Sequence, residues 1–190
     1  MATPTAYGCT ILSPRIESMP KAPVKTDRQS KLDSVFAQAR NQREAGNIRS
    51  AFRLFLAAAK GGHSSSQVTL GNFYCDGTGV RPNRELALHW YRRALRHKEY
   101  AAANNIAVLF QNEGKIDLAL KWFERATNAG AYDARVRVAK IYLERNDRTS
   151  AIRHLKAATK GVVGEDITEV SWKEAQKLLK RLERRPNTRS

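Results

Sequence analysis

Four histidines and two cysteines are the residues of this chain with the widest chemical range. His63, His89, His97 and His154 fall in no His-Glu-x-x-His run, and Cys9 and Cys75 form no Cys-x-x-Cys clip, so the sequence offers no ligand set for a metal. His89 lies one turn from Arg92 and Arg93 and reads as a solvated helix residue. Gly77 and Gly79 are too close together for a phosphate-cradling loop, and no Lys-Ser/Thr follows them. They read as a turn. Trp90, Tyr91, Trp122 and Phe123 could stack bases, but their periodic placement assigns them to packing between helices. Arg92, Arg93, Arg96 and Lys98 form a basic group at a helix end that could contact phosphate. The plainer account is a solvated face that complements the helix dipole. With no acid–base set, nucleophile or metal set in view, no catalytic residue, cofactor or metal is expected.

Those residues sit on a repeat. Eight-residue segments beginning at Ala51, Ala87, Ala119 and Ala151 align without gaps, at spacings of 36, 32 and 32 residues. Each places a large residue four positions on (Phe55, Tyr91, Phe123, Leu155) and Ala at seven (Ala58, Ala94, Ala126, Ala158). Steps of four and three mark one face of an α-helix. Small residues let a neighbouring helix approach, and the large ones fill the space beside it. Within this register His154 takes the place of Trp90 and Trp122 as a packing residue.

A companion helix precedes each segment. Ile106, Ala107 and Phe110 stand ahead of Ala119 at the same offsets as Val138, Ala139 and Tyr142 ahead of Ala151. Leu70, Gly71 and Tyr74 repeat the pattern, but Ala87 arrives four residues late, after a glycine-containing turn that Asn83 closes as an expected N-cap. The tighter turns carry Gly46, Gly114 and, in the third case, Asn146. Gln38 and Gln42 replace apolar residues in the first helix, as suits an end repeat packed on one side only. Beyond Gly161, Val170, Trp172, Ala175, Leu178, Leu179 and Leu182 predict a capping helix from about Thr168 to Arg184, ended by Pro186.

The expected fold is therefore all-α: an α-solenoid of four helix-turn-helix repeats plus a C-terminal capping helix. Its parts are a disordered proline-containing tail over 1–30, repeats over 31–166, the cap over 167–185 and a basic disordered tail over 186–190. The 190 residues carry a formal charge of +16 and a pI near 10.3, which favours acidic partners. Positive charge is spread along the array rather than gathered in one block. Residues 1–30 lack the apolar stretch of a secretory signal, and Glu17, Asp27 and the prolines spoil an organellar presequence. No run approaches a membrane span, and two distant cysteines suit a reducing compartment, so a soluble cytoplasmic protein is expected.

The run Leu70-Gly71-Asn72-Phe73-Tyr74-Cys75-Asp76-Gly77-Thr78-Gly79-Val80, followed by Ala87 to Ala94 with Trp90-Tyr91 inside it, resembles a Sel1-like repeat. The usual acidic residue after the valine is displaced, with Asn83 and Glu85 near its place. Repeats one, three and four are shorter and resemble ordinary tetratricopeptide repeats. The resemblance implies a right-handed array whose first helices line a concave face that holds other proteins or peptides. In tetratricopeptide domains that grip a C-terminal carboxylate, Asn, Asn and Arg recur on successive first helices, and Asn72, Asn105 and Arg137 match them in part. Two lysines of that pattern are missing, with Val68 and Asp133 in their places. Amide and guanidinium donors would still suit an acidic or extended peptide. The expected function is a non-enzymatic scaffold whose groove, with Arg40, Asn72, Asn105, Arg137 and Lys140 as contacts, holds such a protein partner. Nucleic acid bound through the basic surface is the second reading. Oligomeric state is not legible.

Overall fold

A computed structural model describes residues 27–97 and 99–184. Residues 1–26 of the expected 1–30 tail and the whole of the expected 186–190 tail, with Cys9 and Lys98, lie outside the described residues.

Nine helices follow one another among the described residues: α1 (Asp27–Glu44), α2 (Ile48–Gly61), α3 (Ser64–Asp76), α4 (Arg84–Arg96), α5 (Ala101–Asn112), α6 (Ile116–Asn128), α7 (Tyr132–Glu144), α8 (Arg148–Ala158) and α9 (Glu169–Glu183). They pack as the pairs α1/α2, α3/α4, α5/α6 and α7/α8, each second helix resting on the first helix of the next pair, and α9 closes on α8 and α7. Helix α1 starts within the stretch the sequence assigned to the tail. Lys31 bonds to Asp27 one turn back at 2.8 Å, and the Arg28 guanidinium donates to the Gly61 carbonyl at the end of α2. Only Ala39 of α1 is buried, as an end repeat requires.

The small–large face fills the interior. Ala51, Ala58, Ala87, Ala94, Ala119, Ala126, Ala151 and Ala158 are fully buried, with Phe55, Phe123 and Leu155 beside them. Every apolar cluster draws on neighbouring pairs. Ala107 of α5, Phe123 of α6 and Val138 of α7 share one, while Ala139, Leu155, Ile167 and Ala175 join α7, α8 and α9 in another. The core is thus a row of junctions rather than one centre.

Local chemistry sets the joints. Asn83 Oδ1 accepts the Leu86 N–H at 2.9 Å, which makes it the N-cap of α4, and Asp147 caps α8 through the Ser150 N–H at 2.9 Å. The tight turns pass through the left-handed region at Gly46, Gly114 and Asn146, with φ of +78°, +71° and +59°. The longer turn of the second repeat folds back on the first. Val80 packs into the cluster of α1 to α4, and a side chain on Gly79 would come within 2.5 Å of Ile48 Cγ2. Residues 162–167 form a tight loop before Thr168 caps α9 by accepting the Ser171 N–H. Trp172 lies in the last cluster and donates its indole N–H to the Thr159 carbonyl at 3.4 Å.

Candidate partner-binding face

Between alternate helices, α3 touches α5 and α7 touches α9. The odd-numbered helices α1, α3, α5 and α7 carry the five residues expected to line the candidate face.

The centre of that face is built from the Leu-Gly-Asn run of α3. Leu70 and Gly71 are buried and Asn72 emerges. A methyl group on Gly71 would lie 2.2 Å from Tyr91 Cε1, so the glycine is what lets the Tyr91 ring lie flat against α3. The phenol then passes beside the helix and donates to Asn72 Oδ1 at 2.7 Å. Burial first, then the nearby Cys75 and Asp76, pushes Tyr91 far above the ordinary phenol range, so it remains a donor. Asn105 Nδ2 on α5 donates to the same Asn72 oxygen at 2.9 Å, and Asn104 Nδ2 donates to Asn105 Oδ1 at 3.4 Å. The Asn72 oxygen is fully used, which turns the two N–H donors of its Nδ2 away from the Tyr91–Asn105 bonds. They have no protein partner among the described residues.

Of the residues expected in the groove, Asn72 and Asn105 are brought into contact and Arg137 is not bonded to them. Arg137 is exposed on α7, its Cζ 5.9 Å from the Phe123 ring centroid, with no carboxylate paired to it among the described residues. Arg40 is exposed and loosely paired with Glu44 on its own helix at 3.6 Å. Lys140 reaches Glu174 on α9 at 2.5 Å, which ties the cap to this face. Asp133 points its carboxylate at α9 instead of into an open groove, accepting the Thr168 hydroxyl at 2.7 Å and its N–H at 3.2 Å. Val68 packs against the cluster of α4 and α5.

The basic group stands elsewhere, on the second helix α4. Arg92 and Arg96 are exposed, and Arg93 lies over the Trp90 ring at 5.3 Å. Trp90, Tyr91 and Phe123 are buried and Trp122 half-buried, so these four rings present no open platform for bases. Among the described residues, no group of three or more His, Cys, Asp and Glu side chains could hold a metal ion. None of the described helices is long and apolar enough to cross a membrane.

Two polar arrangements escape the sequence pattern because each joins separate repeats. The Arg84 guanidinium, at the start of α4, forks onto the Glu113 carboxylate at the end of α5, which Lys115 also contacts at 2.8 Å. His63 caps α3 through Nδ1, accepting the Ser66 N–H at 3.1 Å, while Nε2 lies 3.3 Å from Asp33 on α1. The position of His63 just before a Ser-rich helix start was the available signal.

Paired antiparallel helices stacked in one register, a small–large seam on each and a cap at the end define a helical-repeat solenoid of the tetratricopeptide-like class. Residues 42–63, 64–98 and 101–130 match the family model of the Sel1 repeat, and the chain carries Sel1 repeats over these three segments. The match takes in the third repeat and the second helix of the first, so Sel1 character reaches beyond the second repeat, where the sequence pattern alone had placed it. The fold is similar to the crystal structure of a Sel1 repeat protein from Oxalobacter formigenes, at 20% identity and a TM-score of 0.62, covering 80% of this chain and 73% of that one. The crystal structure of c5321, a protective antigen present in uropathogenic Escherichia coli strains displaying an SLR fold, matches at 18% identity and a TM-score of 0.47 over 80% and 45% of the two chains. No curated protein sequence matches this one. Sel1-repeat proteins are generally protein-interaction scaffolds and typically not enzymes.

Proposed function

We propose that this protein is a non-enzymatic adaptor whose inner face holds an extended, acidic segment of a partner protein. The observation that carries this reading is the Tyr91–Asn72–Asn105 set of hydrogen bonds, which fixes Asn72 with its amide donors unpartnered between two successive first helices. An extended peptide presents backbone carbonyls along its length, and an amide held in one orientation binds them without losing rotamer freedom. Arg137, exposed and without a paired carboxylate, supplies the charge that selects an acidic side chain or a chain terminus. Arg40 and Lys140 lie farther along the same odd-numbered face and meet the flanks of the segment, Lys140 by exchanging Glu174 for the ligand. The excess of positive charge speeds the encounter with such a partner. The setting we assign is the cytoplasm, where Cys75 stays a thiol. Burial first, then Asp76, raises its pKa above that of a free thiol.

The test is affinity capture with the wild-type chain and with Asn72→Ala/Arg137→Ala, followed by mass spectrometry and by titration of the captured segment. A charge-assisted hydrogen bond contributes about 1.5–3 kcal/mol, so the double variant should bind at least tenfold more weakly while keeping its helical signal. Equal capture by both proteins overturns the assignment of the face. Recovery of RNA or DNA whose binding falls steeply with log salt, with no protein partner, overturns it in favour of the basic surface around Arg92, Arg93 and Arg96.

A further inference from the structure

One junction of the array differs from the others. Where α4 packs on the first repeat, Trp90 fills the space between consecutive second helices beside Leu56 and Ala59; where α6 packs on the second, Trp122 does the same beside Leu95. At the third junction the equivalent residue on α8 is His154, and the residues it faces have changed with it. Glu124 and Thr127 stand where the first junction has Leu56 and Ala59. Beside His154 opens a pocket of about 290 Å³, lined by Glu124, Thr127 and Asn128 of α6, Arg135 of α7, and Arg153, His154 and Ala157 of α8.

The groups around it are placed but incompletely satisfied. Arg135 stacks on Tyr132 at 5.4 Å and donates one N–H to the Thr127 carbonyl at 3.1 Å, while its Nε is buried with no partner. His154 stacks on Tyr142 at 5.7 Å, and its Nδ1 is likewise buried and unpartnered. Neither Arg135 nor Arg153 is ion-paired with a carboxylate among the described residues. Unpartnered buried polar atoms are costly, and both belong to residues that line this pocket beside the exposed Arg153. Glu124 sets the other requirement. One of its oxygens accepts the Tyr142 hydroxyl at 2.8 Å, and a carboxylate lining an anion site repels any ligand that cannot donate to it.

We propose that this cavity binds a protonated phosphate group, either hydrogen phosphate or the monoanion of a phosphomonoester. Its bare oxygens accept from Arg135, Arg153 and His154, and its acid hydroxyl donates to Glu124. Sulfate has the same shape and charge to offer the arginines but no proton for Glu124. The His154 ring is held below its usual pKa by burial first and then by Arg153 and Arg135, so it enters the site neutral, with one N–H to give.

The experiment is a titration of the full chain with inorganic phosphate, followed by calorimetry and by the NMR signals of His154, with sulfate and phosphoserine as parallel arms. Phosphate should bind at least about tenfold more tightly than sulfate, a difference of ~1.4 kcal/mol. Glu124→Gln should narrow that gap, and His154→Trp, which restores the residue used at the other junctions, should abolish binding with the melting temperature unchanged or raised. Arg135→Gln serves if the tryptophan variant does not fold. Tighter binding of phosphoserine than of free phosphate assigns the site to an ester, and the reverse assigns it to the free ion. No binding by either up to about 20 mM, equal binding of phosphate and sulfate, or undiminished binding by His154→Trp overturns the proposal.

Discussion

Gly71 shows how a single residue links packing to recognition. The space a side chain would need is occupied by the Tyr91 ring at 2.2 Å, and that ring position brings the phenol to Asn72. Gly71→Ala forces the ring or the helix to move. Overpacking of this kind costs about 1–3 kcal/mol, which thermal unfolding will show as a lower midpoint. In the variant Tyr91→Leu, which takes the residue used at the same place in the fourth repeat, Gly71→Ala should cost much less, because the ring it collides with is gone. The sequence displayed the Leu-Gly and Trp-Tyr pairs and the register that makes Tyr91 a core residue. It did not display the hydrogen bond, because Tyr91 was read only as packing. Nor could it pair Asn72 with Asn105, which meet across 33 residues of sequence.

At the scale of the helices and their joints, the pattern was nearly complete in the sequence, since steps of three and four and the Gly or Asn turns fix where each helix starts and stops. Asn146 tests that account. It holds φ of +59° where the first and third repeats use glycine. Asn146→Gly should leave stability unchanged or raise it, whereas Asn146→Val, a β-branched residue, should lower it by about 1–2 kcal/mol in denaturant unfolding. The contact between α4 and α5 was not legible, because Arg84 and Glu113 belong to different repeats and neither lies on the apolar face. The hydrogen bonds of Arg84 and then of Lys115 draw the Glu113 carboxylate down to about 2. A carboxylate held below its unfolded value stabilises the fold fully above the ordinary range near pH ~4.3, and the contribution fades as pH falls toward 2. An NMR titration should find Glu113 well below the other glutamates, and Arg84→Ala should bring it most of the way back. Solvent screening at this exposed site keeps the effect on overall stability small.

Over the whole molecule, the row of junction clusters means that each repeat is stabilised by the packing of its own two helices and by its nearest neighbours. Helix α9 is the last neighbour. It covers Ala139, Leu155 and Ala158 through Ala175 and Trp172, accepts the Arg148 guanidinium at the Leu182 carbonyl, and holds Lys140 and Asp133 from the inner face. Ending the chain after Gly161 removes all of these at once. In a structure with one central core, such a loss would lower hydrogen-exchange protection everywhere. In a row of junctions it falls off with distance: α7 and α8 should lose most of their protection, α5 and α6 part of it, and α2 and α3, locked by Phe55, Phe73 and Val80, almost none. Uniform loss across α2 to α8 would refute the nearest-neighbour account. The same gradient separates the two binding readings, because Asn72 and Asn105 sit toward the retained end while His154, Arg135 and Arg153 sit beside the lost cap. The truncated chain should keep the share of its affinity for a groove peptide that Asn72 and Asn105 supply, lose the share that Arg137 supplies, and lose its response to phosphate.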